Sequence, residues 1–310
     1  MQRIRLVTFN IAHGRGLMPI QGMTSARKIR MNLRKIAQLL TRLDPDVVAL
    51  QEIDECSRWA GNFDHLDYLR SFVNLPYAVF GINNRREGLL NLSYGNAFLS
   101  KHPIAVSETI VFGRRQVGEK GFLYAEFDVR GQRVPVVNLH LHYGSRHHRF
   151  RQLDRLLAYL KEQARDRGVG ATTSPIICGD FNNPGTHRAD ATSSLLSHLF
   201  DFDDYVLHPK SGRTFPSPFP SRLLDFVFLP PGCGHVQSEV VKSLLSDHRP
   251  VVVEFTLEAN PMRALDRTEL ALAENSRNGG GDTSAIPGIR EEKAGKVWAF
   301  RSVPGVPTGG

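Results

Sequence analysis

Apolar and polar positions in this chain repeat with two different periods. Over Arg3–Phe9 they alternate residue by residue, which predicts a strand. Over Arg27–Leu43 the period lengthens. Ile29, Leu33, Ile36, Leu40 and Leu43 share one face, with Lys28, Arg30, Arg34 and Arg42 mostly outside it. That is the pattern of an amphipathic helix. Asp46–Gln51 is short and nearly all apolar, as in a strand buried on both faces. Asn96–Ser100 predicts another strand, ended by His102-Pro103. Leu123–Val129 alternates, with Leu123, Ala125, Phe127 and Val129 on one face and Tyr124, Glu126 and Asp128 on the other. Val134–Leu139 reads as a strand. Leu153, Leu157, Leu160 and Ala164 predict a second helix over Arg149–Arg165. Ile176–Cys178, Leu224–Leu229 and Val251–Leu257 complete the strands. Helices and strands interleave, yet several strands follow one another directly. This predicts mixed sheets covered by helices, not a purely parallel sheet.

The pattern changes after Leu257. Residues 260–275 predict one more helix, and residues 278–288 (NGGGDTSAIPG) are glycine-rich. The chain therefore reads as a folded domain over 1–258 and a flexible tail over 259–310, whose Trp298 and Phe300 would dock on the domain or on a partner.

Composition narrows the class. Of 310 residues, 41% are hydrophobic and 23% charged, which is ordinary for a soluble globular protein. No run approaches the ~18 apolar residues of a membrane helix. The N-terminus enters a strand at once, without the apolar region of a secretory signal. The three cysteines, Cys56, Cys178 and Cys233, have no metal-type spacing, so a reducing, cytoplasmic setting is expected. Net charge is +8; residues 259–310 hold 7 basic and 6 acidic side chains, which leaves +7 on residues 1–258. A basic domain favours an anionic partner such as phosphate, nucleic acid or a lipid head group.

Candidate chemistry sits where apolar strands end. Thr8-Phe9-Asn10, Gln51-Glu52, Asn138-Leu139-His140 and Gly179-Asp180-Phe181-Asn182 each follow such a run. Asp225 lies inside LLDFVFL, and Ser246-Asp247-His248-Arg249-Pro250 leads into the last strand. Singly, each has an ordinary explanation as a cap, a turn or a satisfied core group. Jointly they do not. An aspartate in an apolar strand needs a partner, and His248 is the natural one. Carboxylates facing one cleft repel unless a cation separates them. The oxygen donors Glu52, Asp247 and Asn10 suit Mg²⁺ or Mn²⁺ better than zinc. Histidines and carboxylates around such an ion suit phosphoryl chemistry.

At these residues the chain resembles the endonuclease/exonuclease/phosphatase superfamily, the DNase I-like fold. TFNIAHG, VVALQEID, YGNAFLSKHPI, VVNLHLH, IICGDFNNP and the LLDFVF…SDHRPV pair occur in the family's order over about residues 4–257. Asp54, Arg58 and the TFPSPFPSRLLDFVF approach to Asp225 look like its bacterial metal-dependent hydrolase branch. The resemblance implies an α/β (α+β) four-layer sandwich, two packed mixed β-sheets flanked by helices, with the cleft at one end. Glu52 would be the principal Mg²⁺ ligand, with Asn10 beside it and Asp247 helping. Asp180 would activate the attacking water, and Asn182 would hold that water or a phosphoryl oxygen. His140 and His248 would donate to phosphate oxygens, with Asp225 orienting His248. His13 and Asn96 are candidate substrate contacts. In one departure, Ala12 stands where some DNA-repair members carry a further acidic ligand, which weakens an abasic-site nuclease reading.

The implied activity is Mg²⁺-dependent (or Mn²⁺-dependent) phosphodiester hydrolysis. The implied substrate is nucleic acid, a phospholipid head group or a small phosphodiester. A phosphomonoesterase and a catalytically silent phosphate- or nucleic-acid-binding module stay open. Residues 13–26, 57–93, 112–121 and 183–222 are the loops that would choose the substrate.

Overall fold

A computed structural model describes residues 2–88, 91–113, 119–167, 174–183, 191–200 and 204–257. The predicted helix over 260–275 and the tail lie outside the described residues. In chain order the elements are β1 (Gln2–Asn10), α1 (Ala26–Leu43), β2 (Val47–Asp54), α2 (His65–Arg70), β3 (Tyr77–Arg86), β4 (Leu92–Ser100), β5 (Ile104–Val111) and β6 (Gly121–Val129). They continue with β7 (Gln132–His140), α3 (Arg146–Arg167), β8 (Ile176–Asp180), α4 (Ala191–Phe200), β9 (Val206–His208), β10 (Asp225–Leu229), β11 (Cys233–Val240) and β12 (Val251–Leu257).

The strands make two six-stranded mixed sheets, ordered β11-β12-β1-β2-β4-β3 and β5-β6-β7-β8-β10-β9. Their facing sides pack together. Leu6, Ala49, Phe98 and Phe255 from the first sheet meet Leu123, Phe127, Val136 and Val227 from the second. The outer face of the first sheet is closed by α1 and α2, through Ile29, Leu33, Ile36 and Leu69 against Val7, Val48 and Leu50. The outer face of the second is closed by α3 and α4, through Leu153, Leu156 and Leu195 against Val137, Ile177 and Phe228. Four layers result. Both faces of β6 are buried, because Tyr124 and Glu126, on the face that alternation makes polar, lie on the helix side. Here tertiary burial overrides a period-2 pattern.

The helix α1 begins at Ser25, whose hydroxyl accepts from Lys28 N, and ends at Asp44 in the left-handed region. Such caps satisfy backbone groups that a helix end leaves unpaired. It carries the chain from β1 to β2, which pair in parallel; α3 does the same from β7 to β8. In each βαβ unit the carboxyl ends of both strands point to one edge of the sheet, where such folds build their sites. No helix among the described residues is long and apolar enough to cross a membrane.

Candidate active site

Strand register gathers the polar clusters. Asn10 and Gln51 are partners at the ends of β1 and β2, with Glu52 next in line. On the second sheet His140 pairs with Asp180, and Asp180 with Asp225. Since β12 runs antiparallel to β1, the residues before Val251 arrive beside Asn10, and Ser246 Oγ donates to Asn10 O at 2.7 Å. A side-chain bond between the sheets joins two of these clusters directly: Asn10 Nδ2 donates to Asp180 Oδ2 at 3.0 Å.

The backbone around this edge is unusual. Ala12, His13, Glu52 and Asn182 all have positive φ, between 48° and 55°. Glu52 sits where the β2–β4 register shifts, so a bulge turns its side chain out of the sheet. Each such residue costs about 1–3 kcal/mol and persists only where its surroundings fix it.

Asp180, Asp225 and His248 form one buried group. His248 Nδ1 donates to Asp225 Oδ2 at 2.9 Å, and its Nε2 lies 3.6 Å from Asp180 Oδ2. Phe215 packs on the imidazole at 4.9 Å. Burial disfavours the imidazolium, but Asp225 and then Asp180 outweigh it and hold the His248 pKa well above its usual value. Burial pushes Asp180 above the usual carboxylate range, helped by Asp225, although His248 and Asn10 act against the rise. Asn182 N donates to Asp180 Oδ1 at 2.8 Å. A ligand atom from each of Asp180, Asp225 and His248 lies within 4.8 Å of the others. That spacing would admit an ion, but the imidazolium between the carboxylates already offsets negative charge there.

Glu52 faces a different set. Lys120 Nζ lies 3.2 Å from Glu52 Oε1 and 3.3 Å from His140 Nδ1. An ammonium only donates, so Nδ1 accepts and the neutral ring's proton is assigned to Nε2. Burial, then Lys120, keeps His140 neutral, far below the usual imidazole range. Asn182 Nδ2, 3.1 Å from His140 Nε2, is a second donor there, and its two protons go instead to Leu141 O at 2.9 Å and Asp180 Oδ2 at 3.4 Å. His13 Nε2 reaches Glu52 Oε2 at 3.5 Å while its Nδ1 bonds Asp54 Oδ2 at 2.7 Å. Trp59 and Tyr94 flank the His13 ring, and Trp59 Nε1 donates to Asp54 Oδ1 at 2.8 Å. Arg15 bonds Asp247 Oδ2 at 2.7 Å. Burial would raise the Glu52 pKa, but Lys120, His13, His140 and Arg15 together hold it far below the usual range.

This donor set fits a hard divalent cation. Glu52 and Asp247 are carboxylate oxygen donors whose side chains are 21% and 28% open to solvent, unlike the enclosed Asp180 and Asp225. Each has counter-charge at hand, Lys120 at Glu52 and Arg15 at Asp247, and Arg15 acts on Glu52 as well. Asn10 is differently engaged: Oδ1 accepts from Ala12 N at 3.0 Å and its amide nitrogen faces Asp180.

Two sequence expectations are corrected. Asn96 is fully buried, and its amide nitrogen donates to Gly121 O and Asn138 O. It belongs to a layer of amides beneath the cleft. There Gln51 Nε2 donates to Asn138 Oδ1 at 2.7 Å, and Asn138 Nδ2 to Leu50 O and Ala97 O. Leaving one such buried group unpaired costs about 1–3 kcal/mol, so these amides pin the sheets in register. His13 does not face outward as a substrate contact either, since both its nitrogens lie on carboxylates, behind Glu52. Lys120 and Arg15 were not anticipated. Their sequence signal is weak: Lys120 precedes a strand in EKGFL, and Arg15 lies in the loop after NIAHG.

A family model described as the Endonuclease/Exonuclease/phosphatase family matches residues 7–248. The chain belongs to this family. Among solved structures it is similar to an endonuclease/exonuclease/phosphatase from Beutenbergia cavernae, at 20% identity and TM-score 0.62, over 84% of this chain and 73% of that one. It is similar to sphingomyelinase C from Streptomyces griseocarneus, at 21% identity and TM-score 0.61, over 83% of this chain and all of the other. A mannosyl-6-phosphatase from Bacteroides thetaiotaomicron matches at 16% identity and TM-score 0.60, over 82% of this chain and 100% of that one. No curated protein matches the chain.

Proposed function

We propose that this chain is a divalent-cation-dependent phosphodiesterase whose catalytic domain is residues 1–258. The observation that carries the reading is Asp180. It is a buried carboxylate bound by Asn10 from the opposite sheet and set beside a histidine that Asp225 keeps charged. A carboxylate held above its ordinary range is a stronger base, as activation of water requires.

Glu52 and Asp247 would hold the ion, Mg²⁺ or Mn²⁺. When bound, it would relieve negative charge on a phosphoryl oxygen. The remaining work falls to the chain. Asp180 takes the proton of the attacking water, and Asn10 and the Asn182 amide fix the direction of its oxygens. His248 donates from Nε2 to a phosphoryl oxygen while Asp225, bonded to Nδ1, orients the imidazolium. Neutral His140 donates from its own Nε2. Lys120 steadies the His140 ring through Nδ1, and His13 holds Glu52 in position. Lys120 adds positive charge where the phosphate would lie. Preorganised donors of this kind act where charge develops in the transition state.

The fold does not choose the ester, since a sphingomyelinase and a mannosyl-6-phosphatase both resemble it. With Mg²⁺ present, bis(p-nitrophenyl) phosphate and p-nitrophenyl phosphate should be assayed side by side. The diester is expected to show a kcat/KM at least about tenfold higher, a difference of about 1.4 kcal/mol in transition-state binding. The opposite order, with release of inorganic phosphate, would make the protein a phosphomonoesterase. Phosphate binding without turnover of either ester would make it a binding module.

A further inference from the structure

Two loops at the cleft mouth expose apolar side chains that nothing in the catalytic reading uses. The first, Arg15–Thr24, begins where Arg15 bonds Asp247 and ends near Gln21 Nε2, which donates to Trp59 O. Between these anchors Ile20 is 57% exposed, with Leu17 and Met18 also exposed, and just past them Met23 is 66% exposed. The second, Pro216–Ser221, is tied to the same place, since Ser217 N donates to Asp247 O at 2.7 Å and Ser217 Oγ to Ser246 O. Its tip is Phe219, 86% exposed. Both loops are thus fastened at Asp247, and each lifts apolar side chains into solvent from the rim of the site.

The charge beside the second loop is one-sided. Residues 209–222 contain Lys210, Arg213 and Arg222 and no acid, Arg213, Lys242 and Arg249 line a hollow with Pro220, and residues 15–24 contain no acid. Large apolar groups on an exposed surface mark a docking site when they cluster. Apolar tips with cations beside them match one surface in particular, an anionic bilayer, whose acyl region takes the tips and whose head groups meet the cations. A nucleic acid would satisfy the arginines and Phe219 would take a base, but the other four tips, Leu17, Met18, Ile20 and Met23, are not the aromatic platforms that strand binders use.

We propose that the loops Arg15–Thr24 and Pro216–Ser221 dock the protein on anionic membrane surfaces, so that the cleft opens onto the phosphate of a lipid head group. The choice of substrate rests on the phosphoesterase reading above; the docking itself does not.

The test is co-sedimentation of the full chain with phosphatidylcholine vesicles, with and without phosphatidylglycerol, beside a plasmid-binding arm. The variant Ile20→Ser/Met23→Ser/Phe219→Ser changes exposed side chains only. The wild type is expected to pellet with the anionic vesicles, and the variant to partition at least about tenfold less. The variant's kcat/KM on soluble bis(p-nitrophenyl) phosphate is expected to stay within about twofold. Wild-type protein left in the supernatant would overturn the proposal. So would equal vesicle binding by the variant, or plasmid binding that these three substitutions abolish. Vesicle binding without turnover of the soluble ester would support the docking and refute the phosphoesterase reading alone.

Discussion

Asp180→Asn is expected to lower kcat on bis(p-nitrophenyl) phosphate by about 10³-fold with KM little changed, the range for loss of a general base. The amide keeps the shape and still accepts from Asn182 N, but it cannot take a proton. The pH profile supplies the second readout. Asp180 acts only when deprotonated, and burial raises its pKa. Wild-type activity should therefore fall as pH drops through a value above the usual carboxylate range of about 4. The residual activity of Asp180→Asn should lack that limb. Steady-state rates from pH 5 to 9 decide it; a loss under about tenfold, or an unchanged acid limb, would remove Asp180 from the role of base.

Asp225→Asn should cost about as much, on the order of 10²–10⁴ in kcat, by a different route. His248 is surrounded by apolar and carboxylate groups, and burial by itself would discharge it. Asp225 is the foremost influence keeping it protonated. The charged form is present below the folded-state pKa and is lost as pH rises through it. Removing Asp225 lowers that pKa, so the alkaline limb should move to lower pH. Breaking a buried ion pair also destabilises the fold, typically by about 3–5 kcal/mol, so rates must be taken where thermal unfolding shows the variant native. An alkaline limb that stays in place would show that Asp225 has no hold on His248.

Which strands could be read from sequence has a physical cause. The eight interior strands β1, β2, β4, β6, β7, β8, β10 and β12 are covered by neighbours on both sides, and their alternation or apolar runs were legible. The four missed, β3, β5, β9 and β11, are the edges of the two sheets. An edge strand such as β11, with His235, Gln237, Ser238 and Glu239, carries too few buried positions to leave a period. The short helices α2 and α4 escaped for a related reason, being too brief to repeat a face.

The site divides in the same way. Residues that end buried strands stand out, because a polar group next to an apolar run demands an explanation; Asp225 with His248 is the clearest case. What the sequence hides is the direction of a side chain and what approaches it from another segment. Nothing local says that Asn96 turns down to two carbonyls, or that His13 turns in to Glu52 and Asp54. Lys120 is separated from Glu52 by 68 positions, and only the pairing of β6 with β7, which itself packs against β2, brings its ammonium there.

The most direct test is Mn²⁺ titration followed by electron paramagnetic resonance, comparing wild type with Glu52→Gln. One EDTA-reversible Mn²⁺ site is expected in the wild type, with affinity at least about tenfold lower in the variant and ester hydrolysis lost in parallel. Equal Mn²⁺ uptake by Glu52→Gln, or wild-type hydrolysis that persists in EDTA, would contradict a site built around Glu52.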